Sequence, residues 1–234
     1  MLFLVIASAL LPAAVLLCYI YRKDPVKEPV PQLLKGFGYG LVSAGIAVVA
    51  EMFLQLIGLV GEPDGIFSAV NTAFLGAAVP EELAKLLMLW LLLRRNRYFD
   101  EYFDGVVYAA SIGLGFAAIE NVAYLFSDMD NWQGVAVMRG LFAVPGHFGF
   151  AVLMGYFYSL VHLGGRHTQR DRVLVIAAPV LAHGLYDATL FMGSVSGPFA
   201  VVCVILFLVL CSQMVKICRR RIRALRAFDQ MPTM

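Results

Sequence analysis

The sequence predicts an all-α polytopic membrane protein, a bundle of about seven transmembrane helices, and three observations lead there. Of the 234 residues, 61% are apolar and only 15% are charged, whereas soluble domains run at roughly 45–50% apolar and about 25% charged. The mean hydropathy is +0.80. Apolar runs such as Val201–Leu210 are continuous, not the alternating segments of about 10 residues that build a membrane β-barrel. The same figures exclude a disordered chain and a basic nucleic-acid binder, so no nucleic-acid partner is expected.

A transmembrane helix needs about 20 mostly apolar residues. Stretches of that kind fall at about 2–20, 36–60, 67–93, 104–126, 135–161, 173–193 and 198–217. The first reads as an anchor, because it lacks a basic start and a clear A-x-A site and is followed by Arg22 and Lys23. YRKDPVKEPVP leads into the second, which carries Gly36, Gly40, Ala44 and Ala47. GEPDG precedes the third and RRNRYFDEYFD follows it. The fourth carries Ala109, Gly113 and Ala117. Small residues at this spacing let membrane helices pack closely. SDMDNWQ, GGRHTQRDR and GSVSGP separate the remaining spans, and a basic tail occupies about 216–234. The spans leave loops too short for a second domain, so residues 1–234 form one transmembrane domain. No long internal repeat is evident. Cys18, Cys203, Cys211 and Cys218 form no C-x-x-C pair and mostly sit in apolar stretches, which suits small buried residues.

Basic residues set the orientation. Arg22, Lys23 and Lys27 lie in the first loop, Arg94, Arg95 and Arg97 in the third, and Arg166, Arg170 and Arg172 in the fifth. Lys216, Arg219, Arg220, Arg221, Arg223 and Arg226 lie in the tail, and the even loops carry none. The positive-inside rule then puts the N-terminus outside and the C-terminus in the cytoplasm.

A charge at the bilayer centre costs about 2.5–3.5 kcal/mol on insertion scales. The spans nevertheless contain Glu51, Glu81, Glu82, Lys85, Glu120, His147, His183 and Asp187. At about 1.5 Å of rise per residue, Glu81 lies roughly 20 Å above Arg94, Glu120 about 24 Å above Asp104, His147 about 22 Å above His162, His183 about 17 Å and Asp187 about 23 Å above Arg172. Four helices thus bring acids and imidazoles to one layer, in the middle to outer half of a core about 30 Å thick. Glu81 and Lys85 are i, i+4, and Glu82 and Lys85 are i, i+3, so one lysine can serve two carboxylates. His183 and Asp187 are also i, i+4, which lets the acid orient the imidazole. Pro80 and Pro145 loosen the backbone ladder at this layer, and Gly115 and Gly184 add local freedom. No nucleophilic serine or cysteine context, no pair of mid-span aspartates and no His-Glu-x-x-His is present. Water activation by glutamate and histidine remains, with or without a metal. Glu51 sits near the layer without an assigned role.

At these residues the chain resembles the PrsW family, which belongs to a larger group of CAAX-processing and bacteriocin-immunity-type intramembrane proteases. Glu81-Glu82-Leu83-Ala84-Lys85 matches EExxK, Phe116-Ala117-Ala118-Ile119-Glu120-Asn121 matches FxxxEN, and His183-Gly184-Leu185-Tyr186-Asp187 matches HxxxD, in the family's order. The resemblance covers roughly residues 15–215. It implies a multi-pass protease of the bacterial cytoplasmic membrane. Its substrate would be a single-span membrane protein such as an anti-sigma factor, cut near the extracytoplasmic side. Glu81 and Glu82 would then supply the base, Glu120 would help place the water, and His183 with Asp187 would polarise the scissile carbonyl. Lys85, Phe116, Asn121 and His147 would support them, although His147 belongs to none of the three motifs. In the CAAX relatives the second motif ends in His where this chain has Glu120, so roles do not transfer one for one. No cofactor is expected. Zinc is the alternative, with Glu81, Glu120, His147 and His183 as ligands. A proton- or ion-coupled transporter is the competing class, since intramembrane Glu, His and Lys also build proton relays.

Overall fold

A computed structural model describes residues 1–164, 168–195 and 197–230. Arg166 of the fifth loop, Ser196 and the last four residues of the tail lie outside the described residues. Every regular element described is helical. The chain runs through α1 (Leu2–Lys23), α2 (Val30–Leu56), α3 (Ile66–Asn71), α4 (Val79–Leu93), α5 (Tyr102–Ser127), α6 (Trp132–Met138), α7 (Val144–His162), α8 (Gln169–Val195) and α9 (Ala200–Asp229). Six helices are long and apolar enough to cross a membrane: α1, α2, α5, the joined stretch Trp132–His162, α8 and α9. The expected third span is also helical throughout, but it is divided into α3, a π-helical segment Thr72–Ala78 and α4. A second π segment, Arg139–Ala143, joins α6 to α7.

Both π segments have the same local cause. Pro80 and Pro145 stand second in α4 and α7, where each lacks the N–H that would bond one turn back. The ladder widens just before them: Val79 N–H bonds to Phe74 O and Val144 N–H to Arg139 O, each five residues back. Glu81 and Glu82 follow the first widened turn directly, and His147 follows the second.

The core is organised around α5, which is buried along most of its length. Its seam with α2 has no room for a side chain at positions 40 and 115. A Cβ at Gly40 would meet Ile112 O at 2.1 Å, and one at Gly115 would meet Phe37 O at 2.1 Å. Ser111 Oγ donates across this seam to Leu33 O at 2.6 Å. On its other side α5 meets α7 in the same way, with Gly105 and Gly155 each against the other's backbone and Gly113 against Ala151. Glycine at positions 115 and 184 therefore supplies space, not the expected freedom; a Cβ at Gly184 would meet the Phe74 ring at 2.4 Å. The outer helices α1, α2 and α9 expose large apolar side chains such as Leu11, Phe53 and Val201, as lipid-facing surfaces do.

The basic tail is not a loose segment over residues 216–229. α9 continues to Asp229, since nothing between 217 and 229 breaks a helix and arginine is a good helix former. Ile222 and Leu225 are buried there, and the Asp229 carboxylate accepts the Tyr102 and Phe103 N–H groups at 2.7 and 2.9 Å. It thereby satisfies two of the donors at the start of α5.

Replacing Gly115 with Val is expected to cost about 1–3 kcal/mol or more, because the obstacle is backbone that cannot yield. Gly38→Ala, with nothing within 4 Å of its Cβ, is expected to leave stability unchanged or slightly higher. Thermal unfolding in detergent of both variants beside wild type checks the contrast.

Candidate active site

The polar layer expected from helix heights converges on one cluster, and Lys85 is at its centre. Lys85 projects from α4 and is 3% exposed. Its ammonium donates to Glu81 Oε2 at 3.0 Å and Glu82 Oε1 at 2.9 Å, and it faces His147 Nδ1 at 3.2 Å. An ammonium has three donors and no acceptor, so these three partners use it completely. The Phe116 ring lies beneath it, with its centroid 3.8 Å from Nζ, a cation–π contact.

The lysine fixes the histidine next to it. Lys85 can only donate, so His147 Nδ1 accepts and its proton sits on Nε2, which donates to Glu120 Oε2 at 2.8 Å. Both nitrogens of His147 are thereby committed, and the residue bridges α4 to α5. Glu120 is held from the other side by Arg139, whose guanidinium reaches Oε2 at 2.5 Å. Arg139 Nε also donates to Asn121 Oδ1 at 2.7 Å, and Asn121 Nδ2 donates to Ala9 O of α1 at 3.2 Å. The FxxxEN residues thus act as one unit: Phe116 under the lysine, Glu120 in the cluster, Asn121 anchoring it to α1.

His183 enters from α8. Its Nδ1 lies 2.9 Å from Glu82 Oε1, and its Nε2 lies 3.2 Å from Asp187 Oδ2 and 3.9 Å from Glu81 Oε2. A carboxylate at each ring nitrogen suits an imidazole that donates from both. The ring stacks on Phe150, with centroids 4.6 Å apart and planes 16° apart.

The two glutamates of EExxK are not equivalent. Glu81, Glu120, His147, His183 and Asp187 line a cavity of about 400 Å³. Glu82 does not reach it. It is wholly buried beneath, bonded to Lys85 and His183, with Oε2 lacking a hydrogen-bond partner. A neighbouring apolar cavity of about 940 Å³ shares Phe142, Phe150 and Tyr186 with the first.

All nine residues expected from the sequence therefore meet in one cluster or brace it. Glu51 stands half-buried on α2 and makes no ion pair with another described residue. Arg139, Phe150 and Tyr186 carry weight that sequence reasoning missed. For Arg139 a signal existed: it is a lone basic residue inside an apolar stretch, eight residues before His147. Phe150 and Tyr186 had none, being aromatic residues in aromatic-rich helices.

Glu81, Glu82, His147 and His183 each offer a donor atom, and these atoms lie within 4.8 Å of one another. Oxygen and imidazole donors suit zinc. Three of the four, however, already converge on the Lys85 ammonium at 2.9–3.2 Å. A dication among them would face that ammonium at close range in a low-dielectric interior. As arranged, the set does not fit a resident metal.

Comparisons with known proteins bear on the same residues. The sequence model of the family described as "PrsW family intramembrane metalloprotease" matches residues 28–212. The chain is 34% identical to Protease PrsW of Bacillus subtilis (strain 168) over 189 residues, covering 79% of this chain and 82% of that one. It is 33% identical to Protease PrsW of Oceanobacillus iheyensis over 184 residues, covering 78% and 81%, and 31% identical to Protease PrsW of Clostridioides difficile (strain 630) over 188 residues, covering 79% and 78%. No solved structure matches the chain. With three motifs gathered at one buried cluster and relatives matched along most of its length, the chain belongs to the PrsW family of intramembrane proteases and is a membrane-embedded peptidase.

Proposed function

We propose that this peptidase hydrolyses a peptide bond of a single-span membrane protein, of the anti-sigma-factor kind, near the extracytoplasmic side of the bacterial cytoplasmic membrane, using a water activated by Glu81 and no metal. The observation that carries this reading is the separation of the two glutamates: Glu81 lines the cavity and Glu82 is sealed beneath it.

In this mechanism a water held in the cavity between Glu81 and Glu120 gives its proton to Glu81 as its oxygen attacks the scissile carbonyl carbon. His183 Nε2–H turns from Asp187 to the carbonyl oxygen as it becomes an oxyanion, while Glu82, bonded at Nδ1, holds the ring in place. Glu81 then returns the proton to the departing amine, which closes the proton balance. Glu82 and His147 are positioning residues. Glu82 holds Lys85 and His183, and His147 carries the lysine's orientation on to Glu120. The adjoining apolar cavity suits side chains of a substrate segment that has locally unwound, since helical backbone in lipid is otherwise self-satisfied. The heights of the site residues, combined with the positive-inside orientation, support a cut near the outer face. The family description includes the word metalloprotease; Lys85 at the centre of the donor set supports the metal-free alternative.

The deciding experiment presents purified, reconstituted protein with a panel of single-span membrane proteins, anti-sigma factors among them. Glu81→Gln and His183→Ala are each expected to lower cleavage by about 10²–10⁴-fold with folding intact. Cleavage by a folded Glu81→Gln variant at the wild-type rate rejects the assignment. No cleavage of any substrate by wild type, together with a proton flux, favours the transporter reading.

A zinc chelator is expected to leave the wild-type rate unchanged. Loss of activity with chelator, restored by added zinc, overturns the metal-free mechanism. Lys85→Met is expected to behave differently from the catalytic variants. It leaves buried carboxylates without their cation and costs about 3–5 kcal/mol of stability, which thermal unfolding in detergent reads directly.

A further inference from the structure

A second group of carboxylates sits at the end of the bundle that carries the first and third loops. Asp24 follows α1, and Glu101 and Asp104 open α5. One carboxylate oxygen from each lies within 4.8 Å of the other two. Asp24 and Asp104 are 2% and 1% exposed. Glu28 is also buried, touches Asp104 and accepts a hydrogen bond from the Tyr108 hydroxyl. Asp104 lies sixteen residues before Glu120 on α5, about 24 Å along the helix, so this group is separate from the candidate active site.

No cationic side chain among the described residues pairs directly with these carboxylates. Asp24 Oδ2 accepts the Glu28 N–H at 3.2 Å, and Asp104 Oδ2 accepts the N–H groups of Asp100 and Glu101 at 3.1 and 2.7 Å. The second oxygens, Asp24 Oδ1 and Asp104 Oδ1, are buried with no hydrogen-bond partner, and so is Glu101 Oε2. The nearby Lys27 ammonium donates to the main-chain carbonyls of Tyr21, Arg22 and Asp24, not to a carboxylate. Burial pushes the Asp24 and Glu28 carboxyls above their ordinary range, and the Lys27 charge near Asp24 offsets only part of this. Each of the three carboxylates keeps a buried oxygen without a hydrogen-bond partner and brings an oxygen within 4.8 Å of the other two, which points to a cation beyond the clustering of acids itself.

We propose that Asp24, Glu101 and Asp104, with Glu28 beside them, bind a hard divalent cation, Ca²⁺ or Mg²⁺. The donors are all oxygen, with no sulfur or imidazole, which selects hard ions over zinc or copper. Their spacing, up to 4.8 Å, spans opposite positions around an ion with oxygen bonds of about 2.1–2.4 Å. The bound ion clamps the α1–α2 loop to the start of α5. Asp229 already ties the end of α9 to that same turn, so the ion completes a junction of four helices.

The test uses the full-length protein in detergent, stripped with chelator and then titrated with CaCl₂ or MgCl₂ while thermal unfolding is followed. One or both ions are expected to raise Tm saturably by about 5 °C or more, and NaCl at equal ionic strength is expected to give no such rise. Asp24→Asn and Asp104→Asn are each expected to abolish the rise, and to melt no lower than wild type in chelator because repulsion is relieved. Titration calorimetry of wild type with each ion reads binding without relying on a variant. No saturable shift or heat with either ion up to about 10 mM, above the weak end of known calcium sites, overturns the proposal. So does a shift that persists undiminished in both variants.

Discussion

One buried ammonium organises the candidate active site. Lys85 has three protons to give and three acceptors to receive them, all on side chains that water barely reaches. In a low-dielectric interior that match is strong when complete and costly when broken. From it the orientation of each neighbour follows. Glu82 is fixed beneath, and its shared oxygen fixes His183. Glu81 is turned to the cavity. His147 is forced into one tautomer and hands its Nε2 proton to Glu120, which Arg139 holds from the far side. The chain of contacts ends on a backbone carbonyl of α1. A single charge thus coordinates side chains from several helices without any one being free to rotate.

Such a network depends on helices approaching closely enough for short polar side chains to meet. The two seams of α5 supply that approach. Gly40 and Gly115 bring α2 against one side, and Gly105 and Gly155 bring α7 against the other. The polar layer and the small-residue seams are therefore one design: the seams set the spacing and the polar groups set the register.

The fold class and the membership of the cluster were legible in the sequence because bilayer physics leaves strong traces. Ionisable residues in apolar spans are expensive, so their positions along each span carry information, and simple rise arithmetic placed Glu81, Glu120, His147, His183 and Asp187 at one level. The division of labour between Glu81 and Glu82 was not legible. Adjacent residues on a helix differ by about 100° in direction, and only the packing of α8 shows which of them meets open space. Arg139 was overlooked because its partner, Glu120, lies on another helix. The acids at positions 24, 101 and 104 stood in loops, where charge is ordinary, and only the tertiary fold buries them. The helical continuation of α9 through the arginines went unread because charge density suggested a tail, whereas Ile222 and Leu225 keep an apolar stripe running through it.

The widened turns before Pro80 and Pro145 have a consequence for how such a chain tolerates change. Each π segment carries one more residue per turn than the helix around it, so each acts as a phase shift between the helical turns on its two sides. Removing one residue from 72–78 would restore regular winding there and swing the start of α4 by about 100°. Glu81 would leave the cavity with its sequence context intact. A motif search would still find Glu81, Glu82 and Lys85 in place, and the site would be gone. In this chain, therefore, the length of the segment ahead of the motif carries as much chemical meaning as the motif's letters.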